Sequence, residues 1–209
     1  MPRQRTLKIV EIFPSVQGEG LRQGEPMIFV RLGGCNLRCS FCDTKYAWLG
    51  GRDLERSEIL DEIQRVRRRF PAEWVCLTGG EPLMQNIRPL VLALKKAFLK
   101  IQVETNGTIF KPLPVDWLTV SPKPKDYACD PRFRRRADEV KLIVTRGLAL
   151  STVQKLRAEF PSETTLFLQA ESNAPWSVAK ALRLQRRALF HGLSNIRVSA
   201  QLHKIFRLP

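Results

Sequence analysis

Gly33-Gly34-Cys35-Asn36-Leu37-Arg38-Cys39-Ser40-Phe41-Cys42-Asp43-Thr44 places three thiols within eight residues, three and then two residues apart. Three thiolates this close can converge on one iron–sulfur cluster. A four-iron cubane then has three irons held by cysteine and one left open. Clusters that only carry electrons are normally held by four cysteines, so the missing ligand points to a coordination position kept for a substrate or cofactor. Gly33 and Gly34 let backbone pack closely beside the site, and Phe41 supplies a ring. Two other readings stand beside this one, half of a zinc site and ordinary buried thiols, although a structural zinc takes four closed ligands. Cys76 and Cys129 stand alone, without ligand spacing, and an odd number of cysteines speaks against a disulfide framework.

On both sides of this loop, short apolar runs alternate with amphipathic stretches, the pattern of a parallel α/β sheet. Strands are expected at Leu7–Ile12, Met27–Leu32, Trp74–Thr78, Ile101–Thr105, Trp117–Ser121, Glu139–Val144, Thr165–Gln169 and Asn195–Ser199. Ser57–Phe70 reads as a helix with Ile59, Ile63, Val66 and Phe70 on one face and Ser57 as its cap. Further helices are expected over Arg88–Phe98, from Pro175 to just before Gly192, and, shorter, over Ser151–Phe160. The loop from Pro122 to Asp138 is the least structured interior stretch. Fewer helices than strands argues against a complete eightfold barrel. A partial, open barrel in one domain, 1–209, fits better, with its site where strand C-termini meet loops.

The chain has 209 residues, is 44% hydrophobic, and carries a formal charge of +15. No apolar stretch approaches the ~18 residues that span a bilayer, and Met1–Arg5 is followed by no apolar signal core. A reduced, cytoplasmic location is expected. The basic residues are dispersed over Arg65–Arg69, Arg132–Arg136 and Arg183–Arg187, without interleaved aromatics, so no specific nucleic-acid partner is expected.

Polar clusters sit at the expected strand ends. Thr78-Gly79-Gly80-Glu81-Pro82 follows one strand, and its paired glycines allow a close backbone approach. Glu104-Thr105-Asn106-Gly107-Thr108 ends the next, Ser121-Pro122-Lys123 another, and Gln169 a later one. Hydroxyl and amide groups of this kind suit a ribose and adenine. Read singly, each is also an ordinary strand-to-turn transition.

Together, the cysteine spacing and the Gly-Gly-Glu segment resemble the radical S-adenosylmethionine (SAM) superfamily. Two further segments narrow the resemblance to the 7-carboxy-7-deazaguanine synthase (QueE) family: Glu11 through Gly20 with Phe29-Val30-Arg31-Leu32, and Arg197 through Lys204. The likeness spans nearly the whole chain. It implies a contracted, TIM-like partial barrel with parallel strands, a homodimer, and the cofactors [4Fe–4S], SAM and Mg2+. It also implies an electron donor such as a flavodoxin or ferredoxin. The reaction implied is conversion of 6-carboxy-5,6,7,8-tetrahydropterin to 7-carboxy-7-deazaguanine with loss of ammonia.

The resemblance also implies roles. Cys35, Cys39 and Cys42 hold the cluster, Phe41, Cys42 and Asp43 line its SAM side, and Gly80 approaches the methionine end. A side chain at Gly80 is expected to intrude on that ligand. Ser121, Pro122 and Lys123, with Gln169, Ala170, Glu171 and Ser172, serve the nucleoside end, although Ala170 departs from the Gln-Pro pair expected there. Thr44 is the candidate magnesium ligand, its alternative being a cap or turn hydroxyl. For the substrate, Val16, Gln17, Gly18, Glu19 and Thr78 face the pterin. Arg31 suits its carboxylate through a planar fork, the alternative being a structural ion pair. Leu202, Ile205, Phe206 and Leu208 are expected to pack the tail over the barrel mouth. This brings His203 and the carboxylate of Pro209, read as the terminus, to the substrate. Two rival functions share some of these features: an activating enzyme for a glycyl-radical protein, and a basic iron–sulfur or zinc protein that only binds nucleic acid.

Overall fold

In the computed structural model, which describes residues 6–124 and 126–209, the alternating runs assemble into one nine-stranded sheet. Its strands are β1 (Thr6–Val16), β2 (Pro26–Leu32), β3 (Arg52–Glu55), β4 (Trp74–Gly79), β5 (Lys100–Thr105), β6 (Trp117–Val120), β7 (Glu139–Val144), β8 (Thr165–Ala170) and β9 (Ile196–Ser199). They lie side by side in the order β3-β1-β2-β4-β5-β6-β7-β8-β9. From β2 through β9 every pairing is parallel, whereas β1 is antiparallel to both β2 and β3. The outer strands β3 and β9 do not pair with each other, so the barrel is partial and open. Met1–Arg5, on which the reading of the N-terminus rests, lies outside the described residues. Among the described residues, no helix is long and apolar enough to cross a membrane.

The helices are α1 (Arg56–Arg67), α2 (Arg88–Lys96), α3 (Leu150–Glu159), α4 (Pro175–Phe190) and the short α5 (Leu202–Phe206). α1 is capped by Glu55 rather than the expected Ser57. Glu55 and Glu58 form a reciprocal capping box, in which the Glu55 N–H donates to the Glu58 carboxylate at 2.6 Å. β1 continues past Ile12 because its hairpin with β2 carries it on, with Phe13 opposite Phe29 and their rings stacked 5.3 Å apart. The edge strand β3 was not legible in the sequence: three of its four residues are exposed, so it carries no apolar pattern.

Period-two alternation sorts the strand residues into two faces. On one, Ile28, Val30 and Leu32 of β2 and Val75 and Leu77 of β4 join Ile59 and Ile63 of α1 and Leu90, Val91 and Leu94 of α2 in the main core. Burial of each such side chain contributes about 1.5–3 kcal/mol. On the opposite face, Met27, Phe29, Trp74 and Cys76, with Phe13 and Trp117, form a smaller cluster near the strand starts. The Arg22 guanidinium lies 3.2 Å from the Trp74 ring centroid, a cation–π contact in that cluster. Further along the same face the strands turn polar, at Arg31, Thr78, Glu104, Ser121 and Lys141. That change makes an apolar floor under a polar cavity.

Candidate active site

The cysteine loop leaves β2 at Leu32 and runs to a 3-10 turn over Lys45–Trp48. Backbone bonds hold it on both sides: Gly34 N–H donates to Ala47 O at 2.8 Å, and Glu81 N–H donates to Gly34 O at 2.7 Å. A Cβ built on Gly80 would lie 1.9 Å from the Gly34 carbonyl oxygen, so a side chain there would strike the cysteine loop. That clash with backbone stands beside the intrusion on a ligand expected from the sequence. Gly80 is needed first for backbone packing.

Glu81 is wholly buried and is taken up by its own surroundings. Its carboxylate accepts from Thr105 Oγ1 at 2.7 Å, from Asn106 N–H at 2.7 Å and from Leu83 N–H at 3.0 Å. Burial nonetheless pushes its pKa up. Asn106 Nδ2 donates to Asn36 Oδ1 at 2.9 Å, and Asn36 Nδ2 to Thr108 Oγ1 at 2.8 Å, which locks the loop to the turn after β5. The polar run Glu104–Thr108 thus spends much of its hydrogen bonding on the loop.

Cys35, Cys39 and Cys42 are free, partly buried thiols that face one cavity of about 440 Å³. Burial pushes the Cys39 thiol up against the pull of Lys123. Three soft sulfur donors on one loop, beside a cavity that reaches far beyond them, fit a cluster with an open iron. Phe41, Asp43, Thr44 and Gly80 share that wall. The Thr44 hydroxyl makes no cap to the turn that follows it and lies 3.5 Å from Cys42 Sγ.

Every residue expected to face the substrate lines this same cavity: Val16, Gln17, Gly18, Glu19, Arg31, Thr78, His203 and Pro209. Residues 17–22 cross the concave face after β1, and the Leu21 N–H donates to Glu139 Oε2 at 2.7 Å. A Cβ on Gly18 would come within 2.2 Å of His203 Nδ1, so the glycine admits the imidazole. Arg31 does form an ion pair: its Nε donates to Glu11 Oε1 at 2.6 Å, and Tyr46 Oη donates to the same oxygen at 2.9 Å. Among the described residues its two Nη groups have no partner.

Of the residues expected at the nucleoside end, Ser121, Lys123, Glu171 and Ser172 line the cavity, whereas Pro122, Gln169 and Ala170 are buried behind it. Gln169 lies in β8 with its side-chain amide enclosed and, among the described residues, without a hydrogen-bond partner. The tail also differs from expectation. Residues 202–206 form α5, tied down by Leu202 N–H to Gly18 O at 2.9 Å, and Leu208 lines the cavity, but Ile205 and Phe206 face solvent.

The resemblance assigned nothing to four residues that tie the cavity wall together. Lys141 ion-pairs with Glu19 and lies 3.9 Å from Glu104. Gln201 Nε2 donates to Glu19 Oε1 at 2.8 Å and to Asp43 Oδ2 at 3.3 Å, and Lys204 pairs with Asp43 at 3.0 Å. Burial would raise the Glu19 pKa, but Lys141 and Gln201 hold it below the usual carboxylate value. Asp43 is likewise held low, by Lys204 and Gln201 against its own burial. The signal that could have found Lys141 and Glu104 is a charge at alternate positions of an otherwise apolar parallel strand, where an unpaired charge is costly.

Comparison with known proteins agrees with this geometry. Residues 29–141, more than half the chain, match the model of the radical SAM superfamily. A 7-carboxy-7-deazaguanine synthase from Aquifex aeolicus is 35% identical over 207 residues, covering 95% of this chain and 92% of that protein. One from Rhodospirillum rubrum is 42% identical over 166 residues, covering 74% and 68%. The crystal structure of QueE from Escherichia coli superposes with a TM-score of 0.79 at 29% identity, covering 95% of each chain. With cover this complete and a site drawn from both ends of the sequence, the chain belongs to the 7-carboxy-7-deazaguanine synthase family of the radical SAM superfamily.

Proposed function

We propose that this protein converts 6-carboxy-5,6,7,8-tetrahydropterin to 7-carboxy-7-deazaguanine with loss of ammonia, in queuosine and 7-deazapurine biosynthesis. The observation that carries the reading is one cavity with three free thiols on one wall and a fixed set of polar donors and acceptors on the other. Residues 1–209 serve this as one domain. When bound, the [4Fe–4S] cluster and SAM supply radical chemistry. Cys35, Cys39 and Cys42 hold the cluster, with Phe41, Asp43 and Gly80 beside SAM. Ser121, Lys123, Glu171 and Ser172 take the nucleoside end from inside the cavity, and Pro122, Gln169 and Ala170 support them from behind.

Arg31 offers its Nη edge to the substrate carboxylate while Glu11 fixes the guanidinium plane through Nε. Gln17 and Glu19 meet the pterin's hydrogen-bonding edge, with Val16, Gly18, Thr78, His203 and Pro209 enclosing it. The hydroxyl of Thr44, which caps no turn, suits magnesium, which retains waters and takes substrate oxygens. The protein works in the cytoplasm as a homodimer with a flavodoxin or ferredoxin as electron donor, and without a specific nucleic acid.

Anaerobic reconstitution with iron and sulfide, then assay with SAM and reductant, tests this. 5′-Deoxyadenosine, ammonia and the deazapurine are followed with and without the carboxypterin, and with and without magnesium. Pterin-dependent deazapurine formation, stimulated by magnesium, is the expected result. SAM cleavage indifferent to the pterin points to the activating-enzyme reading, and no cleavage at all ends the radical one.

A further inference from the structure

Lys141 occupies the middle of β7, between the core residues Val140 and Leu142, with its side chain only 7% exposed. A buried ammonium is costly, and a buried ion pair seldom stabilises a fold more than apolar residues of the same volume would. The position therefore asks for a use. Its Nζ donates to Glu19 Oε2 and lies 3.9 Å from Glu104 Oε1. Glu19 arrives from the segment that crosses the concave face, and Glu104 from the end of β5.

Each carboxylate is aimed by neutral donors as well. Gln201 serves Glu19 at 2.8 Å, while Gln17 and Thr78 serve Glu104 at 3.0 Å and 3.1 Å. Both carboxylates line the cavity. We infer that Lys141 is a positioning residue whose ammonium gathers the Glu19 and Glu104 carboxylates side by side, so that both accept hydrogen bonds from the N–H donors of an aminopyrimidine-type ring. The inference rests on the proposed function and adds to it the device that keeps two acceptors together on one wall.

Without the lysine, two carboxylates would face one cavity with no cation between them, and their mutual repulsion would drive them apart. The other charged groups near the cluster do not replace it. Glu139, on β7 itself, accepts from Leu21 N–H and Thr119 Oγ1, and burial pushes its pKa up. Lys123, from the loop after β6, is turned to Ser121 at 2.6 Å, and its pKa is lowered by burial and by Lys141. His203 of α5 attracts Glu19 weakly, while Arg31 of β2 is paired to Glu11. Cys76 of β4 lies in the floor, and Asp43 reaches the group only through Gln201. For Lys141 itself, burial alone would lower the pKa, but Glu104 and Glu19 raise it well above the usual lysine value.

The test compares Lys141→Met with Lys141→Arg in the reconstituted holoenzyme. Lys141→Met should raise the KM for the carboxypterin about tenfold, with a smaller change in kcat and in the Kd for SAM. It should also move the acid limb of the kcat/KM profile upward by about one pH unit, because Glu19 then loses the cation that holds its pKa down. Lys141→Arg should restore that limb. An unmoved limb with a KM within about twofold of wild type overturns the inference. If Lys141→Met does not melt cooperatively, Glu19→Gln/Lys141→Met removes both charges and should fold with the KM of Glu19→Gln alone. Failure of that pair to fold while Glu19→Gln folds makes Lys141 structural. Wild-type enzyme without pterin-dependent turnover would instead overturn the function proposed above.

Discussion

The two walls of the cavity are built by different means. The cysteine wall is held by main chain, with Gly34 N–H donating to Ala47 O, Gly80 N–H to Leu32 O and Glu81 N–H to Gly34 O, and a glycine giving the loop its place. The opposite wall is held by side chains from distant parts of the chain, in which Glu19, Glu104, Lys141 and Gln201 form one network. Backbone scaffolding puts rigid geometry around a cofactor common to many reactions. Side-chain scaffolding leaves the chemistry of the substrate wall open to change by substitution. Damage to the first wall should therefore stop all turnover, and damage to the second should change which ligand is held.

The largest effect should come from Cys35→Ala, Cys39→Ala or Cys42→Ala. Each removes one of the three proposed cluster ligands, and no other cysteine stands in for it, since Cys76 is buried in the floor and Cys129 lies near Gly107. Iron and sulfide content should fall and 5′-deoxyadenosine formation drop to background, while the far-ultraviolet circular dichroism stays as in wild type. Retained SAM cleavage in the triple variant would remove the cysteine wall from the chemistry.

Gly80→Ala should be the next most damaging. Its Cβ would meet the Gly34 carbonyl oxygen at 1.9 Å, and backbone cannot yield as a flexible side chain does. Overpacking of this kind costs about 1–3 kcal/mol. Thermal melts should show that loss, with incomplete cluster loading beside it. A variant that melted and loaded as wild type, yet bound SAM weakly, would return Gly80 to the ligand itself.

That contrast also explains how much could be read from the sequence. The cysteine wall was legible because its parts are local: spaced thiols and paired glycines act within a few residues of one another. The parallel strands were legible too, since burial on both faces leaves them apolar. Lys141 was not singled out, and Glu104 only as part of a polar strand-end cluster, because their meaning depends on strand register, which brings β5, β6 and β7 side by side with Glu104 opposite Thr119 and Thr119 opposite Glu139. Edge strand β3 and helix α5 were missed for a related reason. Three of the four β3 residues are exposed and no α5 residue is fully buried, so these elements are held by strand pairing and by the Leu202–Gly18 bond. Gln169 was read as a strand-end ligand group, but it sits inside β8 with its amide enclosed.

Arg31→Lys probes the substrate wall. Lysine keeps the charge and can still meet Glu11, but it loses the planar fork that pairs with Glu11 and, on the proposed function, would serve a substrate carboxylate as well. The KM for the carboxypterin should rise about tenfold, near 1.4 kcal/mol, with little change in the Kd for SAM measured by isothermal titration. Equal effects on both ligands would mean that the Glu11–Arg31–Tyr46 cluster simply maintains the fold between β1 and the cysteine loop.

Gln201→Leu should have the smallest effect and is the sharpest test of the division. Its amide is the link between the walls, donating to Glu19 at 2.8 Å and to Asp43 at 3.3 Å, and it is nearly as buried as the core. Leucine has similar bulk, so packing is largely kept and two hydrogen bonds to charged acceptors are lost. Such bonds are worth about 1.5–3 kcal/mol, but Lys141 still holds Glu19 and Lys204 still holds Asp43, so most of the cost should be absorbed. A rise of a few-fold in both the KM for the pterin and the Kd for SAM is expected. Titrating each ligand with and without the other then measures their coupling, which should weaken in the variant because the shared donor is gone. If only one ligand responded, Gln201 would belong to a single wall, and communication between the two would have to run through the ligands themselves.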